Sequence, residues 1–526
     1  MKNIKSIMNK NVLKLILVVL TINIHFIVSA QASLSAVNED IETRGFHLDL
    51  RIQVMKPEAL RNFVDQLVEL DMNTLVIEWE GTYPFKEHPV ISNTFSYSRE
   101  EIKDFIDYCE EKDIHVIPLQ QSLGHVEYIL RNPRYSFLKE DRKDISQLCP
   151  LESTESKKLF TDLLSDLAAT HNSDYIHIGG DETYLLGHCE DCAKKVAEQG
   201  KSKLFVDHMK MITGIVIDLG KKPVMWADII LKYPEAAGEL PAETIFVDWN
   251  YGWKVNHFGD VSALQEKGFT FWGAPAIRSH PDNWYMTTWP THFKNQKDFI
   301  PYARKAGYDG MIMTSWSTSG VYGFTWDVGY DVIDMEQIRN TYPMTGFRIL
   351  IAAFAEALKQ EEPLDPEAFV LKYAKDRFGI TSEEDQRKLW EFLSVRPELI
   401  QNGKPTRSET ISDIRENYNE VREKLYEIEP RMNTEEFAHF KLMADLRIHY
   451  LKFKEVEAKY NSEDFEVEDT RELLAELDEI KAEAEKLNER FTRLHKSFLY
   501  DAEIKDQNAI RIQPVEVLYN RLAKLK

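Results

Sequence analysis

At 526 residues the chain has room for two domains, since an α/β barrel alone takes about 250 residues or more. A net charge of −22 opposes attraction to polyphosphate or anionic lipid through a general field, which sets nucleic acid aside as a partner. Aromatic residues make up 11% of the chain, with 10 Trp, and such faces suit sugar rings as well as cores.

Lys2, Lys5, Lys10 and Lys14 precede a mostly apolar run from Leu15 to Val28, and Ser29-Ala30 then offer a small-residue cleavage site before Gln31. That order is the pattern of a secretory signal, so residues 1–30 are expected to be a leader and the product exported, periplasmic or extracellular. No later stretch approaches the roughly 20 apolar residues of a membrane span, so no membrane contact beyond the leader is expected. Four cysteines are few for an exported chain of this size, and a packed core must hold the fold. Cys189-Glu190-Asp191-Cys192 has C-x-x-C spacing and follows His188. A zinc site there would need a distant fourth ligand such as Cys109 or Cys149, and a local disulfide or free thiols is the expectation.

From Arg44 onward one theme repeats: a strand-like run, a loop, then an amphipathic helix. Arg44 to Arg51 alternates, with His47, Asp49 and Arg51 on one face and Phe46, Leu48 and Leu50 on the other. Pro57 opens a helix whose Leu60, Phe63, Val64 and Leu67 recur at helical spacing. Asn73 to Glu80 predicts the second strand, and Ser98 to Glu101 a capping box ahead of Ile102, Phe105 and Ile106. His115 to Ser122 predicts the third strand, followed by Leu123-Gly124-His125, and a helix from Ser156 to Ala169 leads into the fourth at Tyr175. The remaining strands are expected at Lys222 to Asp228, Glu243 to Asn250, Thr270 to Ala276 and Gly310 to Ser317, with a last helix through Phe347 to Lys359. Eight strands alternating with helices predict an α/β fold, a (β/α)8 TIM barrel over 31–360. Glu361 to Pro366 breaks the pattern, and 361–526 turns rich in Glu, Lys, Arg and Leu. A C-terminal α-helical bundle domain is expected there, with Leu473, Leu477, Ile480, Ala484, Leu487, Phe491 and Leu494 forming the seam of one long helix.

The fourth strand stops at Gly179-Gly180 and delivers Asp181 and Glu182 at a carboxyl end, the edge where parallel barrels place catalytic groups. Other strand ends supply Asp49 and Arg51, Glu78 and Glu80, His125, Trp226 and Asp228, Trp249 and Tyr251, and Trp316. Carboxylates among Trp and Tyr suit an uncharged, polyhydroxylated ligand with an apolar ring face, which points to sugar. Neighbouring acids in a dry site push each other's pKa values apart, so one can stay protonated while the other stays ionised.

His177-Ile178-Gly179-Gly180-Asp181-Glu182 resembles the signature of family 20 glycoside hydrolases, the β-N-acetylhexosaminidases. His47 to Leu50, Val76 to Glu80, Val116 to Leu119, Gly124-His125 and Tyr184 to Gly187 bring the resemblance nearest to the hexosaminidase D type, over roughly Arg44 to Lys359. The resemblance implies exo-hydrolysis of terminal β-linked N-acetylglucosamine or N-acetylgalactosamine from a glycan. It implies a substrate-assisted retaining mechanism, with the acetamido group as nucleophile, Glu182 as general acid and base, and Asp181 orienting the acetamido group. Trp226, Trp249 and Trp316 would wall the sugar pocket, with Arg51 and His125 near its hydroxyls. Many members end the seventh strand in Tyr-Leu-Asp, whose tyrosine binds the acetamido oxygen; here the strand ends Gly273-Ala274-Pro275-Ala276, leaving Tyr251 or Tyr285 as candidates for that hydroxyl. No cofactor and no metal are called for, and an oligomer stays open. The alternatives are an O-GlcNAcase-like substrate-assisted glycosidase, which should show two aspartates in place of Asp181-Glu182, and a glycan-binding barrel without turnover.

Overall fold

The computed structural model describes residues 41–525 apart from Thr94, Glu152, 280–281, 283–284, 318–322, 325–334, 337–340 and Asn402. The leader expected at 1–30 lies outside the described residues.

Nine strands build one parallel sheet: β1 (Thr43–Asp49), β2 (Thr74–Glu78), β3 (His115–Leu119), β4 (Tyr175–His177), β5 (Lys222–Trp226), β6 (Ile245–Trp249), β7 (Thr270–Ala274), β8 (Ala276–Arg278) and β9 (Gly310–Ser315). Neighbours pair in chain order, and β1 pairs with β9 from Thr43↔Gly310 to Leu48↔Ser315, which closes the barrel. β7 and β8 lie successively against β9 and form one stave interrupted at Pro275. Proline has no N–H for the ladder, and its carbonyl accepts instead from the Thr314 N–H at 2.7 Å and hydroxyl at 2.9 Å. The result is the expected (β/α)8 architecture.

The helices form where their signals stand. Pro57–Glu69 buries Leu60, Phe63, Val64 and Leu67, and Arg99–Glu111 starts with both halves of the Ser98–Glu101 capping box in place. Every expected strand except the seventh stops short of its polar end. Arg51, Glu80, Ser122, Asp228 and Asn250 leave the ladder with their side chains hydrogen-bonded at the barrel mouth, and Ser317 leaves it with its N–H on Asp49 Oδ2 at 2.9 Å. The seventh runs on to Arg278, whose buried guanidinium donates to Gln53 Oε1 and the Tyr342 carbonyl.

Alternation sorts the two faces of the sheet. Val76, Ile117, Leu119, Val224, Trp226, Val247, Trp249, Trp272 and Trp316 pack together inside the barrel, while Phe46, Leu48, Ile77, Ile176 and Ile178 face the surrounding helices.

The C-terminal helices share the outer core of the barrel: Phe437, Phe440, Leu446 and Phe491 belong to the same buried cluster as Leu60 and Phe63. An antiparallel bridge joins Met55 to Leu499, and Glu503 accepts from the Gln53 N–H at 2.9 Å. Gln53 and Met55 follow the carboxyl end of β1, so the helical region abuts the rim that carries the strand-end residues. The seam from Leu473 to Leu494 is buried in the helix Thr470–His495, partly against Val515, Leu518 and Leu522 of Asp501–Ala523. Among the described residues no helix is long and apolar enough to cross a membrane.

Candidate active site

The site is organised by the turn that ends β4. His177 is the last strand residue, its ring 4.4 Å from Trp226 in the barrel interior, while Ile176 and Ile178 point out toward the helices. Continued alternation would put Asp181 inside and Glu182 outside. Gly179 and Gly180 break it with φ of +68° and +93°, values that side-chain-bearing residues rarely adopt. The space is as restrictive as the torsion: a Cβ on Gly179 would stand 1.9 Å from Gln121 Oε1. The chain turns, Glu182 itself takes φ +47°, and both carboxylates come to one imidazole. His125 Nε2 lies 3.5 Å from Asp181 Oδ2 and 3.2 Å from Glu182 Oε2. Gly124 makes this approach possible, because a Cβ there would sit 2.4 Å from the Asp181 carbonyl oxygen.

Neighbouring strand ends hold the pair. The Glu182 N–H donates to Asp228 Oδ2 at 3.2 Å, and Trp249 Nε1 lies 3.5 Å from the other oxygen of Asp228. The exposed Tyr184 reaches back to donate its hydroxyl to Glu182 Oε1 at 2.7 Å, and Gln147 Oε1 accepts from the Leu185 N–H at 2.8 Å. On the far side of the imidazole, buried Glu127 stands 4.0 Å from His125 Nδ1.

These contacts split the two acids. Burial, reinforced by the charges of Asp228 and Glu182, pushes Asp181 up to about 7 in spite of His125. Burial also acts on Glu182, but the hydrogen bond and charge of His125, with the Tyr184 hydroxyl, overcome it and hold Glu182 below the usual carboxylate range. Burial disfavours the imidazolium of His125, yet Asp181, Glu182 and Glu127 together raise it to about 10. The split runs opposite to the one expected from the roles of a proton-donating Glu182 and an ionised Asp181.

Aromatic rings form the rest of the pocket. Trp226 is fully buried at the floor, between His177 and Trp316. Trp316 donates its indole N–H to the Tyr251 hydroxyl at 2.8 Å, and Trp249 packs on Tyr251 with centroids 5.0 Å apart. Tyr251 is near enough to Asp181 for that charge to add to burial in raising its pKa. Among the described residues, Asp181 Oδ1 and Trp226 Nε1 are buried polar atoms without a hydrogen-bond partner, one acceptor and one donor inside the pocket. Arg51 stands behind Trp316, 5.6 Å from the ring, with Nε and Nη2 on Asp49 at 3.0 and 3.1 Å and Nη1 3.3 Å from Glu78. Tyr285 lies away from the acids, beside Arg511 of the last helix, which leaves Tyr251 as the one of the two candidate tyrosines that stands at the site.

The sequence reading thus brings Asp181, Glu182, His125, Trp226, Trp249, Tyr251 and Trp316 to one mouth, with Arg51 one layer behind. It did not single out Glu127 or Gln147. Both sit on the long β3 loop, where no periodicity marks them; the one available hint was the position of Glu127 two residues after His125.

Residues 42–318 match the model of the glycosyl hydrolase family 20 catalytic domain. The chain is similar to hexosaminidase D of Bos taurus, 27% identical over 287 residues that cover 51% of this chain and 83% of that protein. It is also similar to hexosaminidase D of Homo sapiens, 28% identical over 300 residues covering 52% of this chain and 60% of that one. Among solved structures, it resembles the β-N-acetylhexosaminidase of Bacteroides fragilis at 18% identity and a TM-score of 0.49, covering 68% of this chain and 72% of that one. The family 20 β-N-acetylhexosaminidase of Streptomyces coelicolor matches at 19% identity and a TM-score of 0.42, over 53% of this chain and 59% of that one.

Proposed function

The chain belongs to glycosyl hydrolase family 20 and is a glycoside hydrolase, and from that premise we propose that it is an exo-acting β-N-acetylhexosaminidase. Its substrate is a glycan ending in β-linked N-acetylglucosamine or N-acetylgalactosamine, cleaved with retention by substrate assistance. The observation that carries the proposal is the glycine turn that sets Asp181 and Glu182 against one ring nitrogen. A retaining enzyme with its own nucleophile needs two carboxyl groups about 5 Å apart on opposite sides of the scissile bond. Adjacent residues sharing one imidazole favour work on the same side, which leaves the attack to the substrate.

In the first step the acetamido oxygen bonds to the anomeric carbon, the glycosidic C–O bond breaks, and Glu182 gives its proton to the leaving oxygen. Asp181 accepts from the acetamido N–H and offsets the positive charge of the oxazolinium ring. In the second step Glu182 takes a proton from water, whose oxygen attacks the anomeric carbon and reopens the ring to the acetamide. Two inversions give net retention. Burial makes Asp181 the acid that holds a proton more readily, and His125 Nε2, in contact with both, can relay it to Glu182. That one transfer produces the acid and the carboxylate the first step requires.

The test is Glu182→Gln assayed on aryl N-acetyl-β-glucosaminide and galactosaminide. Turnover should fall by about 10²–10⁴-fold, the usual contribution of a general acid and base, with KM nearly unchanged. A thiazoline that mimics the oxazoline should inhibit the parent enzyme. Unchanged turnover in the variant, or indifference to the thiazoline, would sink the proposal.

A further inference from the structure

The loop that leaves the acid pair ends in a cluster that the hydrolytic reaction does not use. Cys149, Cys189, Cys192 and Glu140 bring three sulfurs and a carboxylate oxygen within 4.8 Å of one another. Cys149 Sγ is 3.9 Å from Cys189 Sγ and 3.6 Å from Cys192 Sγ, and Cys192 Sγ is 3.3 Å from Glu140 Oε2. Cys109, buried in the helix Arg99–Glu111, is not among them, and His188 turns to Asp141 at 3.2 Å.

These separations are those of a coordination shell. Sulfurs bound tetrahedrally to zinc at about 2.3 Å stand about 3.8 Å apart, and a sulfur and a carboxylate oxygen about 3.6 Å apart. A disulfide needs its sulfurs about 2.05 Å apart and joins two of them, which would leave a third thiol and the carboxylate behind. The carboxylate is oriented before any ion arrives. Glu140 Oε1 accepts from the N–H groups of His188 and Cys189 at 2.7 and 3.0 Å, which aims Oε2 at the sulfurs. Glu140 is 3% exposed, and among the described residues no lysine or arginine pairs with it. A buried carboxylate of this kind calls for a cation.

We propose that Glu140, Cys149, Cys189 and Cys192 form a structural site for one thiophilic divalent cation of the zinc class. Thiolate ligands select such an ion over calcium or magnesium, and four protein donors close the shell to substrate. Loading is a redox-neutral exchange in which the cation enters and the three thiol protons leave to solvent. The ion clips two catalytic loops together. Glu140 and Cys149 lie on the β3 loop that carries His125, where Gly124 bridges Gln147, and Cys189 and Cys192 lie at the N-cap and in the first turn of the helix Glu190–Gln199, which follows the β4 loop that carries Asp181 and Glu182. Gln147, two residues before Cys149, already accepts from Leu185. The site thereby fixes the spacing of His125 from the acid pair, whichever hexosaminide is cleaved.

The test is elemental analysis of the full-length protein after gel filtration in chelator-containing buffer, with zinc as the probe. We expect about one zinc per chain, its release by an organomercurial once the thiols are titrated, and under about 0.1 per chain in Cys149→Ser and Glu140→Gln. Cys109→Ser should keep its metal. Cobalt substitution should give the charge-transfer and visible bands of tetrahedral thiolate ligation. Should the cluster variants not fold, the stoichiometry and cobalt spectrum of the parent protein decide. A parent protein that stays metal-free after incubation with zinc, or a disulfide among these cysteines by mass spectrometry of that protein, would overturn the proposal.

Discussion

Gly179→Ala is the sharpest probe of how the acid pair is built. Two costs are expected, and a second glycine separates them. Gly220, in the turn after the helix Lys201–Asp218, has φ +74° and nothing within 4 Å of an added Cβ, so Gly220→Ala should show left-handed strain alone, about 1 kcal/mol. At Gly179 the torsion is similar, but the methyl would lie 1.9 Å from Gln121 Oε1, 2.8 Å from its Cδ and 3.1 Å from its Cα. Gln121 is fully buried and donates to Glu78 at 3.2 Å, so driving its amide aside strands a buried polar group at about 1–3 kcal/mol. The combined cost is about 2–4 kcal/mol. Because the chain reaches Asp181 two residues later, relief by backbone movement misplaces the acids, and about 1 Å of error costs on the order of 10²-fold in rate. Melting temperature and kcat/KM on an aryl hexosaminide, measured well below the transition, read the two effects. Gly180→Ala should fall between, since its methyl would meet only the mobile end of Met209 at 2.9 Å. A Gly179→Ala protein that melts with Gly220→Ala and keeps its rate would refute the reasoning.

Three further outcomes are expected. Tyr184→Phe removes the 2.7 Å hydrogen bond to Glu182 and should raise the pKa of that carboxyl, by no more than about 1–2 pH units, since one hydrogen bond to a charged group is worth about 1.5–3 kcal/mol; the pH dependence of kcat reads the shift. Arg51→Met strands Asp49 and Glu78 as buried anions and should destabilise the fold by about 3–5 kcal/mol, whereas a variant with unchanged melting and a raised KM alone would assign Arg51 to the sugar. The contributions of Glu80 and Glu503 to stability should fall as pH rises from about 4.5 to about 7 or 8, against the opposite slope below about 6.5 from His171, His208 and His439, which burial lowers to about 4. Burial raises Glu503 to about 7, and burial with the Glu78 charge raises Glu80 to about 8, so across that window the unfolded chain has lost protons the folded chain keeps. Glu503→Gln, which retains an acceptor for the Gln53 N–H, should remove up to about 3 kcal/mol of that slope, as followed by thermal melts between pH 5 and 8.

The barrel was legible because its signals are local. Period-two alternation marked the strands, Pro57 and the Ser98 capping box marked two helix starts, and each needs only neighbours in sequence. Strand ends were less legible, since whether Glu80 or Asp228 stays in the ladder depends on partners from other strands: Glu80 leaves at φ +43° to accept from the Gln121 N–H at 3.0 Å. The continuation past Pro275 depends on Thr314, on a strand that begins 35 residues later. The acid pair, the glycine turn and the tryptophans could be read because they cluster in sequence at strand ends. The grouping of Cys149 with Cys189 and Cys192 could be named only as one option beside Cys109, since it spans 40 and 43 residues and rests on the course of an irregular loop.

The pH profile follows from asking which group supplies the proton to Glu182. Two donors touch it or its partner: the His125 imidazolium at about 10, and the Asp181 carboxyl at about 7. Asp181 is the more acidic of the two, so transfer from Asp181 is the cheaper route. It is also the route the proposed substrate-assisted step calls for, since it leaves Asp181 ionised for an acetamido N–H. The active form therefore carries one proton shared by the two acids above that on His125, and the pair titrates as a unit. Raising the pH through about 7 removes that shared proton and with it the acid, so kcat/KM should decline through this range and the optimum should lie below neutrality. His125→Asn breaks the contact to both acids and should lower kcat strongly, because the proton then has no path across and Glu182 no cation beside it. A profile flat to pH 9 in the parent enzyme would mean that the imidazolium supplies the proton after all.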